Sequence, residues 1–256
     1  MRSVRAGKKI WEAAFVSFFW LFVWIVLAKI VNKELLLPYP WTVLKKLGEL
    51  CITLDFWKNV VFSLLRIVIG IVLGVISGTL LAILTFRFSI VYHLISPFMV
   101  VIRATPVASF IILALIWLGS GKLPVFICLL MVLPLVWVSI SDGLRALDPK
   151  LAEVCKIFQL PFRKRFKCFY FPALLPYFMS ACRNSIGMAW KAGVAAEVLT
   201  VTPISIGKQL YNSKLYLETS ELFAWTVIVV ILSLIIEKLV VRLIGRLDKR
   251  RDHAKD

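Results

Sequence analysis

Apolar residues in this chain fall in long runs, not in the two-residue alternation of a half-buried strand. A helix needs ~20 mostly apolar residues to cross a bilayer. Six segments approach that measure: residues 10–31, 60–84, 92–118, 123–141, 178–201 and 222–244. The pattern predicts an all-α, polytopic membrane protein with six transmembrane helices, forming a single domain over residues 1–256. The first run follows Arg2, Arg5, Lys8 and Lys9, as a signal peptide's would. A signal core is only ~7–15 residues, however, and no small-x-small cleavage site follows, so a retained span is expected. The third run contains Pro97, Arg103 and Pro106, which predicts a kinked or broken span, because proline lacks the amide donor a helix interior requires.

The connections differ in character. Residues 32–58 carry Pro38 and Pro40, with a short amphipathic helix expected around Trp41–Leu54. Gly119-Ser120-Gly121-Lys122 reads as a tight turn, and Thr202–Glu221 as a polar loop. Residues 142–177 are basic and proline-rich, too charged to span.

Composition sharpens this picture. The chain is 61% hydrophobic, against about 45–50% for an ordinary soluble domain. Its net charge of +17 raises the question of a nucleic-acid partner, and position answers it. Of 31 Lys and Arg residues, 19 lie on one side of the predicted spans and 6 on the other. Short loops rich in Lys and Arg stay in the cytoplasm. Both termini and the 142–177 loop are therefore expected there, and the basic excess is a topology signal with no nucleic-acid role.

Catalytic and cofactor signatures are thin. The Gly119–Lys122 turn resembles the end of a phosphate-binding loop, but Ile116 and Leu123 occupy positions that require Gly and Ser or Thr. No ATP-binding signature remains, and no cofactor or metal is expected on this chain. Cys51, Cys128, Cys155, Cys168 and Cys182 are scattered, with no CxxC pair. His93 lies near a membrane boundary and His253 in the charged tail.

Three features are richer. Gly70, Gly74, Gly78 and Ala82, spaced by four, put a smooth stripe on one helix face, for packing against a second copy or within the subunit. Arg103, Arg183, Lys191 and Glu197 are intramembrane charges, which usually face the protein interior or a water-filled path. Lys191 and Glu197, six apart, point to different faces. Finally, a short helix carrying an exposed Glu153 is expected between Pro149 and Pro161. It suits a knob seated in a soluble partner's socket, or an interfacial helix lying on lipid phosphates.

The loop resembles that of permease subunits of bacterial ATP-binding-cassette importers, in the nitrate/sulfonate/taurine branch. The family's loop has the form EAA, three residues, Gly, nine residues, Ile, x, Leu-Pro. Glu153 matches the Glu, Val154 and Cys155 replace the alanines, Phe169 stands for Ile, and Phe171-Pro172 for Leu-Pro. Gln159 holds the glycine position, a departure that bears on the turn there, and Leu160, Pro161 and Arg163 follow it. Leu37-Pro38-Tyr39-Pro40 with Val43-Leu44, Ser63-Leu64-Leu65-Arg66, Arg103 with Pro106, and Gly187, Trp190 and Glu197 match other family segments in order. The resemblance implies an importer-permease core of type I in the bacterial cell membrane and a non-enzymatic role. It also implies a second permease chain, a cytoplasmic ATPase dimer on the Glu153 loops that uses the ATP, and an extracytoplasmic binding protein. Arg103, Pro106, Arg183, Trp190, Lys191 and Glu197 are then candidates for the translocation path. The substrate expected is a small anion, such as a sulfonate or nitrate, or a related small organic compound. An ion-coupled stand-alone carrier or a membrane-embedded enzyme is the alternative.

Overall fold

The computed structural model describes residues 2–252, and His253 lies outside the described residues. Those residues form helices throughout, with no strand among them. The helices are α1 (Arg2–Val31), α2 (Pro40–Ile52), α3 (Leu54–Arg87), α4 (Ser89–Ala104), α5 (Val107–Leu115), α6 (Leu123–Arg145), α7 (Pro149–Ile157), α8 (Phe162–Arg165), α9 (Phe171–Leu199), α10 (Ile206–Leu215) and α11 (Thr219–Asp252). Among the described residues, α3, α6 and the Thr219–Val240 part of α11 are long and apolar enough to cross a membrane. The bent α4–α5 pair makes a fourth if taken as one span. The apolar part of α1, Phe15–Val31, is shorter, and α9 carries Arg183, Lys191 and Glu197.

The third run is broken where the prolines predict. Thr105, ahead of Pro106, is extended at φ −80° and ψ 132°, since a following proline disfavours helical geometry. The chain turns by 104° between α4 and α5. Pro97 is accommodated inside α4.

Two connections are more ordered than the sequence suggests. The stretch read as a polar loop holds α10, because Ser205 caps it: its Oγ accepts from Lys208 N at 2.9 Å. The fifth helix also begins earlier than position 178. Pro172 fits its first turn, where the amide would be unpaired anyway, and a π-type turn, Phe166–Tyr170, leads into it.

Helix α6 is the buried axis. Its residues from Leu123 to Leu144 supply the largest share of the core, and α3 and α9 pack on either side. Lipid offers no hydrophobic drive for helices to associate, so close van der Waals packing must hold them. The glycine stripe provides it. A Cβ on Gly70 would stand 2.5 Å from Cys128 Cβ and 2.6 Å from Val125 O. On Gly74 it would stand 2.7 Å from Val132 Cβ, and on Gly78 2.8 Å from Leu133 O. The stripe therefore packs within the subunit, against α6. From the other side, Gly193 of α9 closes on Cys128 Sγ and Ile67. The thiol bonds to Ala189 O at 3.3 Å. Outward faces of α1 and α3 expose large apolar residues, among them Phe18, Trp20, Leu65 and Ile76, as a hydrocarbon solvent allows.

Gly70→Ala should cost about 1–3 kcal/mol by overpacking the α3–α6 crossing. Gly48→Ala, which meets nothing within 4 Å on α2, should be neutral or gain up to about 1 kcal/mol. Thermal denaturation of the purified chain in detergent measures both.

Candidate functional site

Two regions collect the residues singled out in the sequence: the loop around Glu153 and the length of α9.

Helix α7 opens on an Asx turn, with Asp148 Oδ1 accepting from Lys150 N at 2.8 Å. It ends in a Schellman pattern, in which Leu160 N donates to Cys155 O at 3.2 Å. That pattern needs a left-handed residue at the position after the cap, usually glycine. Gln159 fills it at φ +47°. The departure from the family's glycine thus keeps the turn and adds strain of about 1 kcal/mol. Glu153 is exposed, and so are Pro161 and Arg163, while Cys155 and Leu160 are half-buried. Around Glu153 the helix leaves an apolar ridge uncovered: Leu151, Val154, Ile157 and Phe158 are 52%, 44%, 76% and 72% exposed. Spacings of three and four put these side chains on one face.

Helix α9 has two unlike faces. One is buried and made of small residues, Ala189, Gly193 and Ala196, together with Trp190. The Trp190 ring donates from Nε1 to Val229 O at 3.2 Å, tying α9 to α11. The other face is exposed and polar, with Ser180, Arg183, Asn184 and Lys191 on it beside Met188. Met188 also lines a cleft of about 290 Å³ at the α4–α5 break, together with Arg103, Thr105, Met131 and Pro134. Pro106 is exposed at the break itself. So Arg103, Pro106, Arg183 and Lys191 lie on exposed faces, whereas Trp190 and Glu197 lie inside the subunit.

Glu197 is fully buried, at 0% exposure. Its Oε2 accepts from Ser63 Oγ at 2.7 Å and from Gly207 N at 3.2 Å. Its Oε1 lies 3.6 Å from Arg66 Nη1. Arg66 in turn donates to Ile204 O at 2.9 Å and Pro203 O at 2.8 Å, and Ser63 Oγ accepts from Ile206 N at 2.9 Å. One carboxylate thereby joins the end of α9, the first half of α3 and the start of α10. The segment it holds is strained: Val201 and Ile204, both β-branched, have φ +47° and +46°, a costly geometry for such side chains. Val201 occupies a second Schellman turn, with Thr202 N donating to Glu197 O at 3.1 Å. Gly207 is required at the contact, since a Cβ there would collide with Glu197 Cβ. Removing one member of a buried ionic network commonly costs about 3–5 kcal/mol. Spacing within α9 gave no sign of these partners, because Ser63 and Arg66 lie more than a hundred residues away. The run Ser63-Leu64-Leu65-Arg66, one helical turn, was the available signal.

A bundle of apolar helices with an unpartnered knob at one end and a charged stripe along one helix has the parts of a transporter's membrane subunit. The chain belongs to the family described as the binding-protein-dependent transport system inner membrane component, which it matches over residues 70–253. It is 24% identical to the putative aliphatic sulfonates transport permease protein SsuC of Bacillus subtilis, over 80% of this chain and 75% of that one. To the nitrate import permease protein NrtB of Synechocystis it is 25% identical, over 86% and 82%. To the taurine transport system permease protein TauC of Escherichia coli it is 24% identical, over 84% and 80%. These relatives are named as transport permeases, not as enzymes. The chain is a multi-pass permease of the bacterial cell membrane.

Gln159→Gly should relieve the left-handed strain and raise stability by about 0.5–1 kcal/mol. Thermal denaturation reads the gain; a loss would mean that the Gln159 side chain supports the loop.

Proposed function

We propose that this chain is the permease subunit of an ATP-driven importer and that it forms the translocation pathway for a small anionic solute. The observation that carries the proposal is the uncovered ridge of Leu151, Val154, Ile157 and Phe158 around Glu153. Three large apolar side chains on the nine-residue helix α7, with Phe158 just past its end, need a covering surface, and a socket on a cytoplasmic ATPase supplies one. Two such ATPase subunits use the ATP; this chain binds no cofactor of its own.

The pathway runs between two copies of the chain, identical in the simplest assembly. A polar stripe facing lipid would be costly. Arg183 and Lys191 on the exposed face of α9, continuous through Met188 with the Arg103 cleft, favour a water-filled path against the second copy. Pro106 opens that cleft by breaking the span. Glu197 and Trp190 act behind the path by fixing the position of α9. The three cations suit a compact oxyanion, the chemistry shared by the solutes in the names of the relatives. An extracytoplasmic binding protein delivers that solute to the outer loops.

In this reading α1, α3, the α4–α5 pair, α6, α9 and α11 make six spans, and both termini and α7 face the cytoplasm, as the charge bias requires. A stand-alone carrier would need an ion-coupling site, and the one fully buried carboxylate among the described residues, Glu197, is engaged with Arg66 and Ser63.

Glu153→Arg, or deletion of residues 153–165, should weaken co-purification of the partner ATPase at least about tenfold, as loss of an interface hot spot does. Pull-down with the neighbouring ATPase reads this, together with ATP-dependent uptake in proteoliposomes. Survival of both binding and ATPase stimulation in the two variants would refute the docking role. Uptake by the chain alone, driven by an ion gradient, would favour the carrier.

A further inference from the structure

A cleft of about 350 Å³ opens at the end of α3 and α6 opposite Glu197, lined by Thr85, Phe86, Arg87, Ser89, Tyr92, Ser141 and Arg145. Arg87 and Arg145 occupy the last turns of α3 and α6, and no ion pair holds either guanidinium among the described residues. The Arg145 guanidinium lies over the Tyr92 ring at 5.0 Å, and that ring stacks on Trp137 at 6.0 Å. Trp137 is in turn anchored by its bond to Thr85 Oγ1 at 3.0 Å. Arg145 is thus backed by a fixed aromatic wall.

Two further groups converge there. Ser141 Oγ is buried, its residue only 8% exposed, and it has no hydrogen-bond partner among the described residues. A buried hydroxyl left unpaired costs free energy unless something in the cleft accepts from it. The first turn of α4 begins at Ser89 with no side chain capping it, and a helix N-terminus favours an anion. Two guanidinium groups that touch aromatic rings but form no ion pair among the described residues, an unsatisfied hydroxyl and a free helix start are a donor set for a phosphate-type oxyanion. Asp142, the neighbouring acid, is exposed and lies outside the lining.

We infer that this cleft binds a phosphate group, carried either by an anionic lipid headgroup or by a free phosphate ion. Both arginines sit in the last turns of apolar helices, which places them near the lipid phosphates if those helices cross the bilayer as proposed above. The cleft is separate from the Arg103 cleft and from the Glu153 loop, so an occupant here would staple α3, α4 and α6 together at one face of the bundle. Its assignment to the cytoplasmic face rests on the orientation proposed above; the binding does not.

The test uses the full-length chain in mild detergent. Native mass spectrometry with added phosphatidylglycerol measures lipid retention, and equilibrium dialysis with radiolabelled inorganic phosphate measures the free ion. The wild-type chain should hold one of the two probes. Arg87→Gln with Arg145→Gln should lower that binding at least about tenfold, and Ser141→Ala about threefold. Lys164→Gln with Lys167→Gln, exposed basic residues elsewhere, should change it less than about twofold. Retention of phosphatidylglycerol that phosphate does not displace assigns the lipid; binding in dialysis with displacement assigns the free ion. Binding of neither probe, equal binding by the wild type and the arginine double variant, or an equal loss in the lysine control would overturn the inference. No outcome depends on an ATPase, so failure of the docking proposal leaves the result readable.

Discussion

Ser63, Arg66, Glu197 and the amides of Ile206 and Gly207 meet where α3, α9 and α10 join, around a carboxylate that is fully buried. A carboxylate there is tolerable only because Ser63 and the Gly207 amide donate to it and Arg66 balances it. The position of α9 against α3 follows from that network, and so does the path of the strained segment between α9 and α10. The glycine crossings extend the same constraint down the bundle. Gly70, Gly74 and Gly78 let α3 approach α6, and Gly193 lets α9 approach from the other side, with Cys128 between them. The result is a three-helix block in which the glycines admit no added Cβ.

That block gives α9 its double role. Its small-residue face is locked to α6, while its polar face, with Arg183 and Lys191, is left uncovered. The same helix starts beside the α7–α8 loop and ends at the Glu197 anchor. A push on α7 therefore reaches α9 through a π-type turn and a few residues, and meets a rigid body. In the proposed importer, alternating access would require a helix arrangement with two stable states. The breaks in the helices lie outside that block: the 104° bend between α4 and α5, and the short turns around α7.

The sequence carried much of this in its hydrophobic runs and prolines. The broken third run, the short helix between Pro149 and Pro161 and the amphipathic helix near Trp41 all follow from local rules, and local structure agrees. The family could be read from Glu153, Phe171-Pro172 and the motifs around them. What could not be read depends on contacts between distant positions. The glycine stripe left its partner open, since spacing shows that a face is smooth but not what lies against it. Glu197 looked like a lone intramembrane charge because Ser63 and Arg66 belong to another helix. Gln159 and Val201 adopt left-handed geometry that neither residue type favours, so propensity alone would place neither turn. Helix α10 was hidden by its polarity, and Ser205 was its visible cap.

Amide hydrogen exchange across residues 200–207, in lipid nanodiscs, tests the Glu197 anchor most directly. Slow exchange is expected at Ile206 and Gly207, whose amides donate to Ser63 and Glu197, with release of both in Glu197→Ala by about a hundredfold or more. Fast exchange there in the wild-type chain, or protection unchanged by Glu197→Ala, would contradict it.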